Sequence, residues 1–311
     1  MRAQATLERS IGQFIDNHRG LGFANASAML LDRDSGEVRA LVGSANYFDA
    51  SIDGQVNGTE AKRSPGSILK PFIYGLALDQ GLLHPATMLK DAPTAFGPFS
   101  PENFDGRFVG PISAQEALVG SRNVPAVAVA SKLANPRLYD FLKNAGVTRL
   151  ATEQHDGLAL ALGGAEVTME ELGSMYLMLA NRGVLTPISH GRRAASDNPK
   201  AQAPRLLSEE AAFITLQTLR TNRRPDTGEP AAPPVAWKTG TSWGFATRGR
   251  RRVRALRAAG LGRQFRRHRQ PGLRRRADGG AAVLPHRRQP ARPAPRSARG
   301  RTAAAGRRDA H

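Results

Sequence analysis

Three short polar clusters in this sequence pair hydroxyl and amine groups at spacings that suit nucleophilic chemistry. They are Ser67-x-x-Lys70, Ser121-x-Asn123 and Lys238-Thr239-Gly240-Thr241-Ser242. A serine hydroxyl is a weak nucleophile at neutral pH unless a base stands beside it. On a helix, a lysine three residues after the serine lies on the same face, one turn along. It can act as that base if burial and a second cation lower its pKa. Lys238 is a candidate for the second cation. Singly, each cluster is weak. Ser-x-x-Lys arises by chance in long chains, a serine opening a helix is commonly only an N-cap, and Lys-Thr-Gly also suits a solvated strand edge.

The surrounding elements raise their value. Ile68, Leu69, Phe72, Ile73, Leu76 and Ala77 follow helical spacing and Gly81 stops the run, so Ser67 stands at a helix N-terminus with Lys70 one turn on. Pro71 lies early enough for its missing N–H to matter little. Ser113-Ala-Gln-Glu116 reads as a capping box opening a short helix that runs into Ser121-Arg122-Asn123, with a second apolar stretch from Val124 to Leu133. Val235 to Phe245 reads as the strand that carries the third cluster. Upstream, two apolar runs around Asp34-Ser35-Gly36 predict a β-hairpin within Ala26–Ser44. Asn135-Pro136, Thr168-Met-Glu-Glu171 and Ser208 each open a further helix. Residues 82–112 show no periodicity. Residues 1–25, polar with one short amphipathic stretch (Ile11, Phe14, Ile15), read as a linker or a frayed helix. Hairpin, helices, then strand imply an α/β domain with an antiparallel sheet.

The chain has 311 residues and no cysteine, which excludes disulfides, Cys-ligated zinc, iron–sulfur clusters and thiol nucleophiles. His18, His84, His155 and His190 lack paired ligand spacing, so no metal is expected. No apolar run reaches the ~18 residues of a membrane span, and no signal peptide or anchor is read in the chain. The net charge of +19 is confined to one segment: residues 246–311 hold 21 Arg, no Lys and 2 Asp, while residues 1–245 are neutral overall.

With the three clusters in this order and context, the chain resembles the transpeptidase domain of class A penicillin-binding proteins. Arg63-Ser-Pro-Gly-Ser-Ile-Leu-Lys70-Pro71-Phe72, Ser100-Pro-Glu-Asn-Phe-Asp-Gly106, Gly120-Ser-Arg-Asn-Val-Pro-Ala126, Leu162-Gly-Gly-Ala-Glu-Val-Thr168 and Lys238-Thr-Gly-Thr-Ser-Trp-Gly-Phe245 carry the likeness. The resemblance implies the penicillin-binding transpeptidase and serine β-lactamase-like fold: an antiparallel sheet flanked by helices, with a helical subdomain, over residues 26–245. It implies Ser67 as nucleophile on D-Ala-D-Ala or a β-lactam ring, Lys70 as base and Ser121 as proton relay. It implies Asn123 on the substrate amide, Lys238, Thr239 and Thr241 on its carboxylate, and Gly240 as the place where substrate backbone approaches the strand. The N–H groups of Ser67 and Thr241 would form an oxyanion hole. Glu166 falls in a structural segment, Glu102 and Asp105 read as solvated or capping residues, and Trp237 and Trp243 as packing residues. No cofactor is implied. Peptidoglycan stem peptides and β-lactams are the implied partners, and the periplasmic face of the cytoplasmic membrane the implied location.

After Phe245 the family pattern, a turn, two strands and a closing helix, is lost. Residues 246–311 hold 14 Ala, 8 Gly and 5 Pro beside their arginines, the composition of a GC-rich gene read out of frame. The domain therefore reads as incomplete at its C-terminal end, with the third-cluster strand left as an edge and residues 246–311 as a disordered tail. An Arg-rich segment that binds nucleic acid non-specifically is the alternative.

Overall fold

The computed structural model describes residues 2–150, 157–191, 202–223, 228, 234–241 and 256–260, the last five as backbone alone. The chain opens with helix α1 (Arg2–His18), where Leu7, Ile11 and Ile15 recur every fourth residue and are buried. Leu7 and Ile11 pack on Ala40 and Val42 of the following hairpin. The Gln4 side chain also docks on the strand like a backbone segment: its Nε2 donates to the Leu41 carbonyl at 2.8 Å and its Oε1 accepts from the Leu41 N–H at 2.9 Å. The opening is thus a packed helix rather than a linker or a frayed helix. The polar residues between its apolar positions hide a stripe that only a helix brings together.

The hairpin forms as expected from β1 (Ala28–Leu31) and β2 (Val38–Val42), with Ala28 opposite Val42 and a shift of register between Leu30 and Leu31. Asp32 Oδ1 shapes its turn by accepting from the N–H groups of Asp34 and Ser35.

At the centre runs α2 (Lys70–Asp79), entered through a 3-10 turn over Gly66–Leu69. Every residue from Lys70 to Ala77 is buried, as in a helix enclosed on all sides. Around it stand α3 (Ala114–Val119), α4 (Asn123–Ala130), α5 (Leu138–Asn144), α6 (Met169–Ala180) and α7 (Glu209–Arg220). Phe72 stacks on Phe141 with centroids 5.6 Å apart and meets the edge of Tyr176 at 5.2 Å. Both capping boxes form, at Ser113/Glu116 and Thr168/Glu171, and Ser208 caps α7 through the N–H of Ala211.

Two strands appear where no periodicity was read: β3 (Met88–Asp91) pairs antiparallel with β4 (Gly110–Ser113). Four residues are too few for alternation to show, and Pro111 argues against a strand. β5 (Ala236–Gly240) pairs antiparallel with β6 (Leu256–Gly260), Ala236 facing Gly260. Among the described residues the strands form three separate two-stranded ladders rather than one sheet. β6 corrects one expectation: the Arg-rich segment holds a strand. The composition argument weighed core-forming side chains, whereas a ladder is made by backbone groups. β5 is paired on one side only, so among the described residues it remains an edge. Residues 242–255 and 261–311 lie outside the described residues, and with them Trp243 and the end of the expected strand.

Candidate active site

The three clusters are assembled by backbone contacts at Gly66. This residue has φ +54, and a Cβ there would lie 2.2 Å from the Thr241 carbonyl oxygen. From the other side, a Cβ on Gly163 would lie 2.3 Å from the N of Gly66. The turn that carries Ser67 is therefore clamped between β5 and the Gly163 turn. Gly240 belongs to the same clamp: a Cβ there would meet the Pro65 carbonyl at 2.6 Å. At Gly240 the chain's own Ser67 turn is thus already a close neighbour of the strand. Tyr176 OH donates to the Ile68 carbonyl at 2.9 Å, and Ser64 Oγ to the Gly163 carbonyl at 2.7 Å. Arg63 and Val167 exchange backbone hydrogen bonds at 3.0 and 2.9 Å.

Two lysine amines meet beside this turn. Lys70 Nζ donates to the Ser121 carbonyl and to Asn123 Oδ1, both at 2.6 Å, and lies 3.4 Å from Ser121 Oγ. Lys238 Nζ donates to Ser121 Oγ at 2.7 Å and to the Thr239 carbonyl at 2.8 Å. Their side chains are 0% and 1% exposed, respectively. Neither amine has a carboxylate within ion-pair distance among the described residues. Burial, then the nearby charges of Lys238 and Arg122, hold Lys70 well below the ordinary lysine value. Burial pushes Lys238 down to about 7. Both amines are thus shifted toward the neutral form. A neutral amine with its two N–H bonds given to acceptors keeps a lone pair for a proton.

The structure brings Lys70, Ser121, Asn123, Lys238 and Thr239 into one hydrogen-bonded cluster and sets Thr241 against Gly66. Ser67 is half-buried, and its hydroxyl makes no hydrogen bond to another described residue. As the second residue of a 3-10 turn it keeps a backbone N–H without an intrahelical partner. Asn123 Nδ2 donates to the Glu102 carbonyl at 2.6 Å, so Glu102 contributes its backbone. Glu166 is exposed.

Sequence reasoning missed the support of the second cluster. Ser121 has φ +58, a left-handed conformation that non-glycine residues seldom adopt. Arg122, next to it, donates from Nε to the fully buried Asp91 at 2.7 Å and from Nη1 to Asp105 at 3.0 Å. Asp105 is thus an ion-pair partner, held below the usual carboxylate range by the Arg107 N–H and by Arg122. Asn103 links Asp91 to the N–H of Asn123, at 2.6 and 2.7 Å. The only sequence signal was the Ser100–Gly106 segment, with no indication of its partners.

A family model described as the penicillin binding protein transpeptidase domain matches residues 26–256. Penicillin-binding protein 1C of Escherichia coli (strain K12) is 39% identical over 246 residues, 78% of this chain and 31% of that protein. Penicillin-binding protein 1A of Neisseria cinerea is 30% identical over 239 residues, 70% of this chain and 29% of that protein. The chain thus spans about a third of the length of these relatives. In fold it is similar to the transpeptidase domain of Burkholderia pseudomallei penicillin-binding protein 3, with a TM-score of 0.67 at 18% identity over 83% of this chain and 85% of that one.

Proposed function

The chain belongs to the penicillin-binding protein transpeptidase family, and from that footing we propose that it is an acyl-serine D,D-transpeptidase of peptidoglycan cross-linking, acting on stem peptides ending in D-Ala-D-Ala. The observation that carries this reading is the convergence of two buried lysine amines on Ser121 Oγ beside the Ser67 turn.

Ser67 Oγ attacks the carbonyl of the penultimate D-Ala, and its proton passes to the lone pair of neutral Lys70. The developing oxyanion lies between the N–H groups of Ser67 and Thr241, which Gly66 allows to approach. Collapse breaks the C–N bond, and the proton travels through Ser121 to the departing D-Ala amine. An ester at Ser67 remains. An amine of a second stem peptide then attacks it, gives up its proton along the same path, and Ser67 is restored. Lys238, Thr239 and Thr241 hold the terminal carboxylate, which favours the charged form of Lys238 once substrate is bound. Asn123 orients the substrate amide with the capacity left after its bonds to Lys70 and Glu102.

Such work belongs at the periplasmic face of the cytoplasmic membrane. Among the described residues no helix is long and apolar enough to cross a membrane. Nucleic-acid binding through the Arg-rich segment gains no support from the family match.

Intact-protein mass after incubation with benzylpenicillin tests the reading. The expected result is one penicilloyl adduct that Ser67→Ala abolishes. An adduct that survives in Ser67→Ala, or soluble wild-type protein left unmodified, would sink it. With a D-Ala-D-Ala peptide and an amine acceptor, cross-linked product should accompany released D-Ala; release with hydrolysis alone would make the chain a carboxypeptidase.

A further inference from the structure

We propose that Asp91 is a positioning residue of the second motif: through Arg122 and Asn103 it holds Ser121 and Asn123 against Lys70. The inference rests on the acyl-serine reading for its kinetic consequence and on geometry for its basis. Asp91 ends β3, is 0% exposed, and has both carboxylate oxygens engaged. Oδ1 accepts from Asn103 Nδ2 at 2.6 Å; Oδ2 accepts from Arg122 Nε at 2.7 Å and from the Val109 N–H at 3.2 Å. Asn103 passes the constraint on, since its Oδ1 accepts the Asn123 N–H at 2.7 Å while its Nδ2 also donates to the Arg107 carbonyl. Arg122 carries the other half, spreading its fork over Asp91, Asp105 and the Arg107 carbonyl. Ser121 immediately precedes these two anchored residues, Arg122 and Asn123, and its left-handed backbone (φ +58) persists because the segment that follows it is fixed.

Anchoring the loop over residues 92–109 would by itself explain a buried ion pair. A second feature separates the roles. Lys70 is faced by Lys238 from β5 and by Arg122, Ser121 and Asn123 from the second motif, with Tyr74 one turn along α2. Asp91 acts from β3, where its charge reaches Tyr74 and partly compensates Arg122. The Arg122 charge helps hold Lys70 low. Removing Asp91 therefore leaves Arg122 less compensated and drives Lys70 further down. Removing the Arg122 charge lets Lys70 rise.

The experiment combines two readouts. With benzylpenicillin, Asp91→Asn should lower the acylation rate of folded protein about a hundredfold, the effect of an ångström-scale misplacement, with the adduct still on Ser67. Titration of the Lys70 amine, followed by nitrogen NMR of lysine-labelled protein, needs no substrate. Its midpoint should fall in Asp91→Asn and rise in Arg122→Gln. In Arg122→Lys, which keeps the charge and loses the fork, it should stay near wild type while acylation drops. An unchanged rate per folded molecule in Asp91→Asn, or one Lys70 midpoint shared by all variants, overturns the proposal. Failure of wild-type protein to acylate counts against the enzyme reading instead, and the titrations still decide whether Asp91 and Arg122 act on Lys70.

Discussion

Two sequestered lysine sites on opposite principles stand in this molecule. At one, Lys62 Nζ sits 2.6 Å from Glu171, with Thr148 Oγ1 at 2.9 Å, both charged side chains being about 15% exposed. Burial pushes Glu171 up, but hydrogen bonds from Lys62, Thr168 and Thr148 hold it below the usual carboxylate range. The charge is matched, and the pair ties the start of the segment leading to Ser67 to the first turn of α6. At the other, Lys70 and Lys238 share Ser121 and are offered only neutral acceptors. A lysine given a carboxylate holds structure together. A lysine denied one is pushed toward the neutral amine, which can take a proton.

The sharpest way to break this contrast is Lys70→Met. Acylation by benzylpenicillin should fall about a thousandfold, the scale of general base catalysis. A loss of tenfold or less would move the base elsewhere. Next comes Gly66→Ala. Its Cβ would drive into the Thr241 carbonyl from a left-handed backbone, and stopped-flow acylation should slow about a hundredfold. A near-native rate would mean that β5 can retreat without harm. At the matched site, Lys62→Met should lower unfolding free energy by about 1–3 kcal/mol, since the pair is sequestered but not dry. The rate per folded molecule should hold; a parallel loss of rate would merge the two sites into one.

The smallest effect lies in the pH dependence of stability. Glu171 has a lowered folded pKa, so its contribution is present above the ordinary 4.5 and is lost as pH falls through the folded value. Lys238 titrates at about 7 when folded and 10.5 when unfolded. Between these values the unfolded chain binds the extra proton, so stability rises with pH. Lys70 acts in the same direction. Thermal midpoints should climb from pH 7 toward 10, and Lys238→Met should flatten that climb and leave the acid limb intact. A flat wild-type profile above pH 7 would mean that the interior amines remain charged.

What the sequence revealed of this contrast was local. Ser67 and Lys70 are one turn apart, and the capping boxes at Ser113 and Thr168 are complete within four residues, so their chemistry is legible in a short window. Lys62 and Glu171 are 109 residues apart, and no pattern in either segment announces the other. The same holds for Gly163 against Gly66 and for Asp91 against Arg122. Gly240 was singled out as a place of close approach, but which backbone approaches is a fact of packing. The stripe of α1 is spaced among polar residues, so sequence alone leaves a linker or a frayed helix there, not a packed one. β6 was unexpected because backbone pairing asks little of composition.

The meeting of Gly66, Gly163 and Gly240 bears on how such a site can change over time. Core positions around Phe72 touch other side chains, Phe141 and Tyr176 among them, and side chains can be exchanged together at constant volume. At the clamp, what an added methyl would meet is mostly main chain, and main chain cannot be exchanged for something smaller. Mutational drift is therefore barred at the Ser67 turn itself. Variation that retunes what this site can bind has to come from side chains around it, leaving the geometry at Ser67 inherited as a fixed unit.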